Sequence, residues 1–284
     1  MASGGVVREF EYTDNDFEKI RRLIYDAAGI RLQDSKRQLV YSRIARRIRA
    51  LNLKRFSEYL VYLEGHDNEL EQFINALTTN LTSFFRESHH FDYLKAYFRK
   101  NHLSGKTFKI WCAAASTGEE PYTLAITAME AFDTLKPPVE IVGTDIDSQV
   151  LSQARIGVYS EERIERLEAA RKKRFFLKGK GANLGKVKVR PEVKALVTFE
   201  QLNLLSQSWN LSPPYDAIFC RNVMIYFDKP TQYRLLERML PLLGPNGIYV
   251  AGHSESFSEA SGLLRSLGRT IFCRAESTLA RWRM

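Results

Sequence analysis

The sequence has only three cysteines among its 284 residues, and none of them stands in a CxxC pair. Cys112, Cys220 and Cys273 each lie within an apolar, strand-like run, which is typical of small buried hydrophobic residues in a reducing compartment. We therefore expect no disulfide bond and no metal site.

Long apolar segments are also absent. The sequence contains no uninterrupted apolar run of about 18 residues, the length that suggests a membrane span, and no early apolar segment that would suggest a secretory signal. These absences predict a cytoplasmic protein that does not insert into a membrane.

Acidic residues are scarce in one part of the chain. Lys and Arg total 42 against 33 Asp and Glu, a net charge of +9, and residues 31–55 include nine basic residues but a single acid, Asp34. Apolar residues recur every three or four positions between 40 and 51, which predicts an amphipathic helix with a basic face.

The hydrophobic periodicity divides the chain into two domains. Residues 14–65 and 70–77 show helical patterns, so we predict an N-terminal helical domain over residues 1–90. An α/β domain is expected over residues 91–284, with an insertion at 160–200. Its predicted strands span residues 108–114, 140–144, 198–201, 215–220, 247–251 and 270–274.

One strand-loop-helix-strand unit carries the candidate site. The strand at 108–114 leads into the loop ASTGEE, a helix that begins near Tyr122, and a second strand that ends in GTDID. Ligands of open α/β sheets bind at the carboxyl ends of parallel strands, and both loops carry carboxylates at that end. We expect a small-molecule pocket there, with a nucleotide-like cofactor as the first candidate.

Charge narrows the choice of cofactor. A pyrophosphate-binding loop needs several glycines, whereas this loop has one, Gly118, followed directly by Glu119 and Glu120. A phosphate about 5 Å from either carboxylate would be repelled by roughly 3 kcal/mol at an effective dielectric of about 20. S-adenosylmethionine carries no phosphate and presents two cationic groups, so it suits the loop better than NAD, FAD or ATP. Asp145 ends the next strand, where an acid usually binds ribose.

A simpler interpretation of the two glutamates stays open. Glu119 and Glu120 stand in the first turn of the predicted helix, where acidic side chains stabilise the helix dipole without any ligand.

Residues 160–200 interrupt the α/β alternation. A charged helical pattern is followed by alternating β-type residues and three glycines, Gly179, Gly181 and Gly185. We predict a small antiparallel β insertion, whose edge is either ordinary surface decoration or a docking edge for an extended peptide.

Four longer motifs resemble one known family. NALTTNLTSFFRESHHF, AAASTGEEPYTLA, GTDID, and FCRNVMIYFDK followed by GHSESF have the order and spacing of the CheR family, the chemotaxis receptor glutamate methyltransferases. The resemblance covers residues 14–275. It implies a Rossmann-like class I methyltransferase domain that transfers a methyl group from S-adenosylmethionine to receptor glutamates and leaves S-adenosylhomocysteine.

The family's site residues fall on named positions of this sequence when they are matched by motif. The implied cofactor contacts are Asn80, Thr82, Arg86, Glu120, Asp145, Asn203, Leu204, Arg221 and Asn222. Arg86 and Tyr226 are implied at the reacting centre. The alternatives are a surface salt bridge from Arg86 to Glu87 or Asp92, and a core aromatic role for Tyr226.

The implied chemistry needs no general base. A glutamate nucleophile with a pKa near 4.3 is already ionised at pH 7, so positioning and desolvation supply the catalysis. Arg86 can bind a carboxylate through two parallel hydrogen bonds, and Tyr226 can orient the acceptor. We expect the neighbouring His89 and His90 to be packing or capping residues.

The implied partners are the cytoplasmic helices of methyl-accepting chemotaxis receptors, and the enzyme would be recruited to membrane receptor clusters. Receptor methylation sites lie on acidic helices, which a basic helix would attract. The expected contacts are Lys36, Arg43, Arg46, Arg47 and Arg49, unless this face is simply solvated.

The insertion resembles the family's β-subdomain. In members with a compact Gly-x-Gly form, this subdomain is associated with binding a tail peptide at the receptor C-terminus. The expected contacts are Gly179, Gly181, Gly185 and Arg190.

Two other interpretations fit less well. Residues 212–215, Ser-Pro-Pro-Tyr, mimic a motif of amino-methylating nucleic-acid enzymes, but they precede a predicted strand and so lie at the end opposite the pocket. A DNA-binding module that used the basic helix would leave both carboxylate loops without a role. We therefore expect no nucleic-acid partner.

Overall fold

The computed structural model describes residues 9–102 and 105–279, which form two compact units. The first unit, the helical unit, runs up to Thr79, and the second, the α/β unit, begins at Asn80. This division falls earlier than the boundary near residue 90 that the sequence suggests. The reason is that the segment 80–88 bonds to loops of the α/β unit.

The described part of the helical unit contains four α-helices: α1 Asp14–Ala28, α2 Arg37–Ala50, α3 Phe56–Glu64 and α4 Asp67–Leu77. Thr13 and Asp16 form a capping box that satisfies backbone donors at the start of α1. Val40, Ile44 and Ile48 of α2 are 0% exposed, so the predicted apolar stripe of this helix is confirmed.

The α/β unit alternates strands and helices along the chain. Its described helices are α5 His89–Asn101, α6 Glu119–Phe132, α7 Ser148–Ile156, α8 Ala169–Phe175, α9 Pro191–Lys194 and α10 Lys229–Met239. Its described strands are β1 Phe108–Cys112, β2 Val139–Asp145, β3 Val158–Ser160, β4 Phe176–Lys178, β5 Lys186–Val189, β6 Val197–Gln201, β7 Tyr215–Cys220, β8 Leu243–Ala251, β9 Leu264–Gly268 and β10 Ile271–Arg274.

Seven of these strands form the main sheet, in the order β6-β2-β1-β7-β8-β10-β9. The first five are parallel, whereas β10 pairs antiparallel with both β8 and β9. The connections run outward in opposite directions from β1 and β7, which makes the carboxyl ends of these two neighbours the switch point where ligands bind. This topology confirms the predicted Rossmann-like, class I methyltransferase fold.

The central strand β1 is buried on both faces of the sheet. Phe108, Ile110 and Cys112 contribute to one hydrophobic core, and Trp111 contributes to the core on the other side. Apart from the half-buried Lys109, the strand is apolar on both faces, as expected for a central parallel strand.

The insertion predicted at 160–200 contains a three-stranded antiparallel sheet of order β3-β5-β4, which begins with β3 at Val158. Tyr159, Phe176, Val187 and Val189 are buried in the hydrophobic core of the α/β unit. The small sheet is therefore anchored by one face.

Several predicted boundaries shift. Strand β9 was not predicted, because LRSLG is short and has no β-branched or aromatic residue, and β8 begins at Leu243 rather than at residue 247. The charged stretch at 160–178, which the sequence predicted to be helical, holds a 3₁₀ turn, Glu161–Ile164, and the short helix α8, and then ends in strand β4. None of the helices in the described ranges is long and apolar enough to cross a membrane. The same ranges contain no group of three or more His, Cys, Asp or Glu placed to hold a metal ion.

Candidate active site

The candidate site lies where four loops and the segment 80–88 meet at the carboxyl edge of the main sheet. The loops follow β1, β2, β7 and β8. The first loop turns directly into α6 at Gly118, whose φ is 97°. A Cβ at Gly118 would lie 2.9 Å from the Cβ of Ala154, so only glycine fits this turn.

Asp145, at the end of β2, is 8% exposed and bonded to both neighbouring loops. One carboxylate oxygen accepts the backbone N–H of Ser116 at 2.8 Å, and the other accepts that of Asp147 at 3.0 Å. Burial raises the pKa of Asp145 to about 6. Each oxygen retains acceptor capacity, so this carboxylate fits the role of accepting hydrogen bonds from the hydroxyls of a ribose.

Asn80 joins the segment 80–88 to this pair of loops. Its side-chain amide donates to the Asp147 carboxylate at 2.8 Å, and its backbone carbonyl accepts a hydrogen bond from the Ser116 hydroxyl at 3.0 Å. Asp147 also caps α7 through the backbone of Gln149. The loops after β1 and β2 are therefore fixed together with the segment that holds Thr82 and Arg86.

The two glutamates of the GEE sequence have different environments. Glu119 is 0% exposed, and its carboxylate accepts a hydrogen bond from the Thr117 hydroxyl at 2.6 Å. Burial raises the pKa of Glu119. The Glu119 carboxylate is thus enclosed, and Glu120 has a different environment because adjacent helical residues point about 100° apart.

Glu120 lies inside the site and is paired with Arg221. Its carboxylate accepts a hydrogen bond from the Arg221 guanidinium and one from the Cys112 thiol at 3.3 Å. The carboxylate is not a free charge, so the repulsion that it would exert on a phosphate is weaker than the sequence argument assumed.

The Arg221 side chain is fully buried between two carboxylates. Besides Glu120, it contacts Glu87 at 3.2 Å, and it donates to the backbone carbonyl of Arg86. Burial lowers the pKa of Arg221, but the two glutamates outweigh that effect and raise it. Arg221 is therefore a buried cation that binds the backbone of the segment with Arg86.

Glu87 connects three parts of the site and was assigned no role from the sequence except as a possible partner of Arg86. Its carboxylate accepts hydrogen bonds from the Asn222 amide at 3.3 Å and from the backbone N–H of His253 at 3.1 Å. Burial alone would raise the pKa of Glu87, but Arg221 and these donors lower it. Its φ of 58° lies in the left-handed region, a strained conformation that these contacts sustain.

Arg86 retains part of its solvent exposure. Its side chain is 34% exposed, donates to the carbonyl of Leu81 at 2.8 Å, and lies 4.0 Å from the Glu87 carboxylate. The alternative role of Arg86 was a salt bridge to Glu87. At a distance of 4.0 Å this ion pair is a long contact. The guanidinium has donors left for an incoming carboxylate.

Tyr226 lies in a 3₁₀ turn, Met224–Tyr226, and is half-buried. Its hydroxyl makes no hydrogen bond with residues 9–102 or 105–279.

The Asn203 side chain accepts a hydrogen bond from the backbone N–H of Leu205, while the Leu204 side chain is buried in the core. Leu204 therefore has only its backbone to offer a cofactor.

Glu255, in the GHSESF motif, organises the loop that carries Asn222 and Tyr226. It is 6% exposed and accepts hydrogen bonds from the backbone N–H groups of Val223 at 3.0 Å and Met224 at 2.8 Å, and from that of Gly252. The signal in the sequence was the GHSESF motif, which directly follows β8. A glutamate that is buried there needs several hydrogen-bond donors.

His90 is a packing residue. It is 0% exposed, its Nε2 lies 2.9 Å from the Thr270 hydroxyl, and burial lowers its pKa to about 3. A group that stays neutral and enclosed at pH 7 agrees with the packing role expected for this histidine.

Three of the five basic residues expected to bind substrate, Arg43, Arg47 and Arg49, make contacts within the helical unit. Arg43 donates to the carbonyls of Ala76 and Thr78, at the end of α4. Arg47 pairs through two hydrogen bonds with Glu69, which is 5% exposed. The exposed basic residues of this face are Lys36, Arg46 and Arg49, of which Arg49 pairs with Glu9 at 3.0 Å.

The insertion contains a cavity of about 690 Å³ that is lined by apolar and charged residues. Ile164, Phe176 and Val187 are among its apolar residues, and Arg190 and Lys178 are among its basic ones. Gly179 starts the turn beside it, and a Cβ there would lie 2.0 Å from the carbonyl oxygen of Asn183. Gly181 and Gly185 have open space around them.

Comparison with known proteins assigns both units to one family. Residues 15–78 match the family described as "CheR methyltransferase, all-alpha domain", and residues 80–273 match "CheR methyltransferase, SAM binding domain". The chain is 54% identical over 268 residues to "Chemotaxis protein methyltransferase 2" of Pseudomonas aeruginosa, covering 94% of this chain and 96% of the relative. It is 46% identical over 262 residues to the "Chemotaxis protein methyltransferase" of Escherichia coli, covering 92% and 91%.

Proposed function

The chain belongs to the CheR family, whose members are S-adenosylmethionine-dependent methyltransferases that act on chemoreceptors. We propose that it transfers methyl groups to receptor glutamates at the carboxyl edge of its main sheet. The observation that carries this assignment is the convergence of Asn80, Arg86, Glu120, Asp145 and Arg221 at that edge. These residues come from four separate parts of the chain and meet at the switch point of the sheet.

The cofactor supplies an activated methyl group on a sulfonium, and this chain's residues bind and orient it. Asp145 accepts hydrogen bonds from the ribose hydroxyls, and Asn80 and Thr82 line the same side. Asn203, the backbone of Leu204, and Asn222 complete the contacts. Glu120 and Arg221 contribute through their ion pair, which presents a fixed local dipole instead of two separate charges.

The acceptor glutamate needs orientation and exclusion of water but no deprotonation. Arg86 binds a carboxylate through its free N–H groups, and the Tyr226 hydroxyl orients the acceptor. The hydrogen bond from Arg221 to the Arg86 carbonyl, and the bonds that Glu87 accepts from Asn222 and His253, hold the segment around Arg86 in place.

The helical unit contributes to recognition of the receptor. Lys36, Arg46 and Arg49 of the α2 region attract an acidic receptor helix, while Arg43 and Arg47 stabilise the unit itself. The proposed division of labour has the helical domain facing substrate and the α/β domain binding the cofactor. Binding to nucleic acid is no part of this function, and attachment to membrane receptor clusters follows from receptor binding.

The insertion docks a receptor tail peptide. The cavity is lined by apolar residues such as Phe176, by basic residues such as Arg190 and by three glutamates, a mixture that suits a short peptide with both apolar and charged groups. Gly179→Ala, which forces a Cβ against Asn183, should abolish tail-peptide binding in fluorescence anisotropy. Gly262→Ala, where a Cβ meets nothing within 4 Å, is the matched control. Equal affinity in both variants would reject tail docking.

The function itself is tested by transfer of labelled methyl groups. The protein is incubated with methyl-labelled S-adenosylmethionine and a purified receptor cytoplasmic fragment. We expect label on glutamates, released by mild alkali as esters are, and no label when those glutamates are replaced by alanine. Label that resists alkali would indicate N-methylation and contradict the assignment.

A further inference from the structure

Arg163 lies in the insertion but reaches the cofactor segments. It belongs to the 3₁₀ turn Glu161–Ile164, directly after β3. Its guanidinium donates to the backbone carbonyl of Thr82 at 3.0 Å and lies 3.6 Å from the carboxylate of Glu119. One side chain of the insertion thus contacts both the segment 80–88 and the start of α6.

Glu119 needs a cation at this position. Its side chain is 0% exposed, and its Oε1 has no hydrogen-bond partner among the described residues. The Arg163 guanidinium faces that oxygen. A buried carboxylate without a nearby cation would lose its charge or force the start of α6 to rearrange.

Other residues of the small sheet pack against the same two segments. The Tyr159 hydroxyl donates to the carbonyl of Thr117 at 2.6 Å. The ring of Phe84 meets the rings of Tyr159 and Phe176 edge to face, each at 5.2 Å. The insertion is therefore the wall on which the cofactor segments rest, in addition to any docking role.

We propose that Arg163 is a positioning residue of the methyl-transfer site, which fixes the Thr82 backbone and the Glu119 carboxylate so that the segment 80–88 keeps its cofactor-binding conformation. This inference rests on the proposed function. Arg163 acts through Thr82 and Glu119 and does not itself contact the reacting atoms. The insertion, which the family resemblance associates with peptide docking, thereby also contributes to the affinity of the enzyme for its cofactor.

The test compares Arg163→Ala with Arg166→Ala. Arg166 is an exposed arginine of the same segment, with no hydrogen bond or ion pair to the described residues. Arg163→Ala should weaken S-adenosylhomocysteine binding in calorimetry by about tenfold, as expected for one charged hydrogen bond at a partly exposed site. It should raise KM for S-adenosylmethionine by a similar factor and change kcat less than about threefold. Arg163→Lys should recover most of the affinity, because it restores a cation and one donor.

A local readout separates positioning from a general loss of stability. Amide hydrogen exchange of residues 80–88 should accelerate in Arg163→Ala and stay at the wild-type rate in Arg166→Ala. Unchanged cofactor affinity in Arg163→Ala, or an equal loss in both variants, would overturn the proposal. Failure of the wild-type protein to bind S-adenosylhomocysteine would instead reject the proposed function.

Discussion

Arg221 and Glu120, 101 residues apart in the chain, form an ion pair beneath the loops of the candidate site. The family resemblance implied that each would contact the cofactor, and what the structure shows is the contact between the two side chains. The pair extends to Glu87 and to the carbonyl of Arg86. Through these contacts, three parts of the chain that are distant in sequence share one network.

This network predicts a stability cost when one partner is removed. Glu120→Gln should lower the free energy of unfolding by about 2–4 kcal/mol, because the buried Arg221 then keeps only Glu87 as a charged partner. Urea unfolding measures the loss. Glu140→Gln, at an exposed position on β2, should stay within about 0.5 kcal/mol of wild type. A double-mutant cycle with Arg221→Met that gives no coupling would contradict the pairing.

The buried carboxyl of Asp145 predicts a pH dependence of cofactor binding. Its pKa is raised to about 6, and ribose hydroxyls donate to the ionised form. The Kd for S-adenosylhomocysteine should therefore be constant above about pH 7 and rise as pH falls through 6, by up to tenfold per pH unit at lower pH. Calorimetry between pH 5 and pH 8 measures this change.

The control is Asp145→Asn, which should bind weakly at every pH. In the absence of cofactor, the same carboxyl should make the folded protein more stable at lower pH. The folded carboxyl binds its proton more tightly than the unfolded one, so the free energy of unfolding should rise as pH falls from about 6 to about 4. A pH-independent Kd in the wild type would show that Asp145 does not meet the ribose.

Arg86 is predicted to act on the chemical step. Arg86→Ala should lower kcat by about 100-fold, the size of effect seen when a single charge-stabilising donor is lost from a catalytic site. Arg86→Lys should recover only a small part, since lysine lacks the planar fork that binds a carboxylate. Arg99→Ala, an exposed arginine on α5, serves as the control in the same transfer assay. Wild-type kcat in Arg86→Ala would remove this residue from the reacting centre.

The exposed charges of α2 are predicted to attract the receptor without affecting the chemistry. Charge reversal in Arg46→Glu should raise KM for the receptor fragment severalfold at low salt, with the difference disappearing near 1 M salt. Arg22→Glu reverses an exposed charge on α1 and should have a smaller effect. If both variants raise KM equally, net charge alone would explain the attraction.

Much of the fold follows from local patterns. The apolar runs that became β1, β2 and β7, and the α2 stripe of Val40, Ile44 and Ile48, are periodic enough to identify in one sequence. Strand β9 escaped prediction because its pairing with β10, and not its own composition, makes it a strand.

The site was harder to predict than the fold. Motif resemblance identified Asp145, Glu120 and Arg221 as a set, and the structure brings them to one edge of the sheet. The contacts among them depend on tertiary geometry that no spacing rule encodes. Such long-range contacts also determine four features that the sequence did not reveal. They are the burial of Glu119, the hydrogen bonds of Arg43 within the helical unit, and the connecting roles of Glu87 and Glu255.

The most direct test of the account is a crystal structure of the complex with S-adenosylhomocysteine. We predict that the ribose hydroxyls lie within about 2.6–3.2 Å of the Asp145 carboxylate and that the sulfur faces the cleft between Arg86 and Tyr226. An adenosyl group bound away from the carboxyl ends of β1 and β2, with Asp145 still bonded only to its neighbouring backbone, would contradict the account.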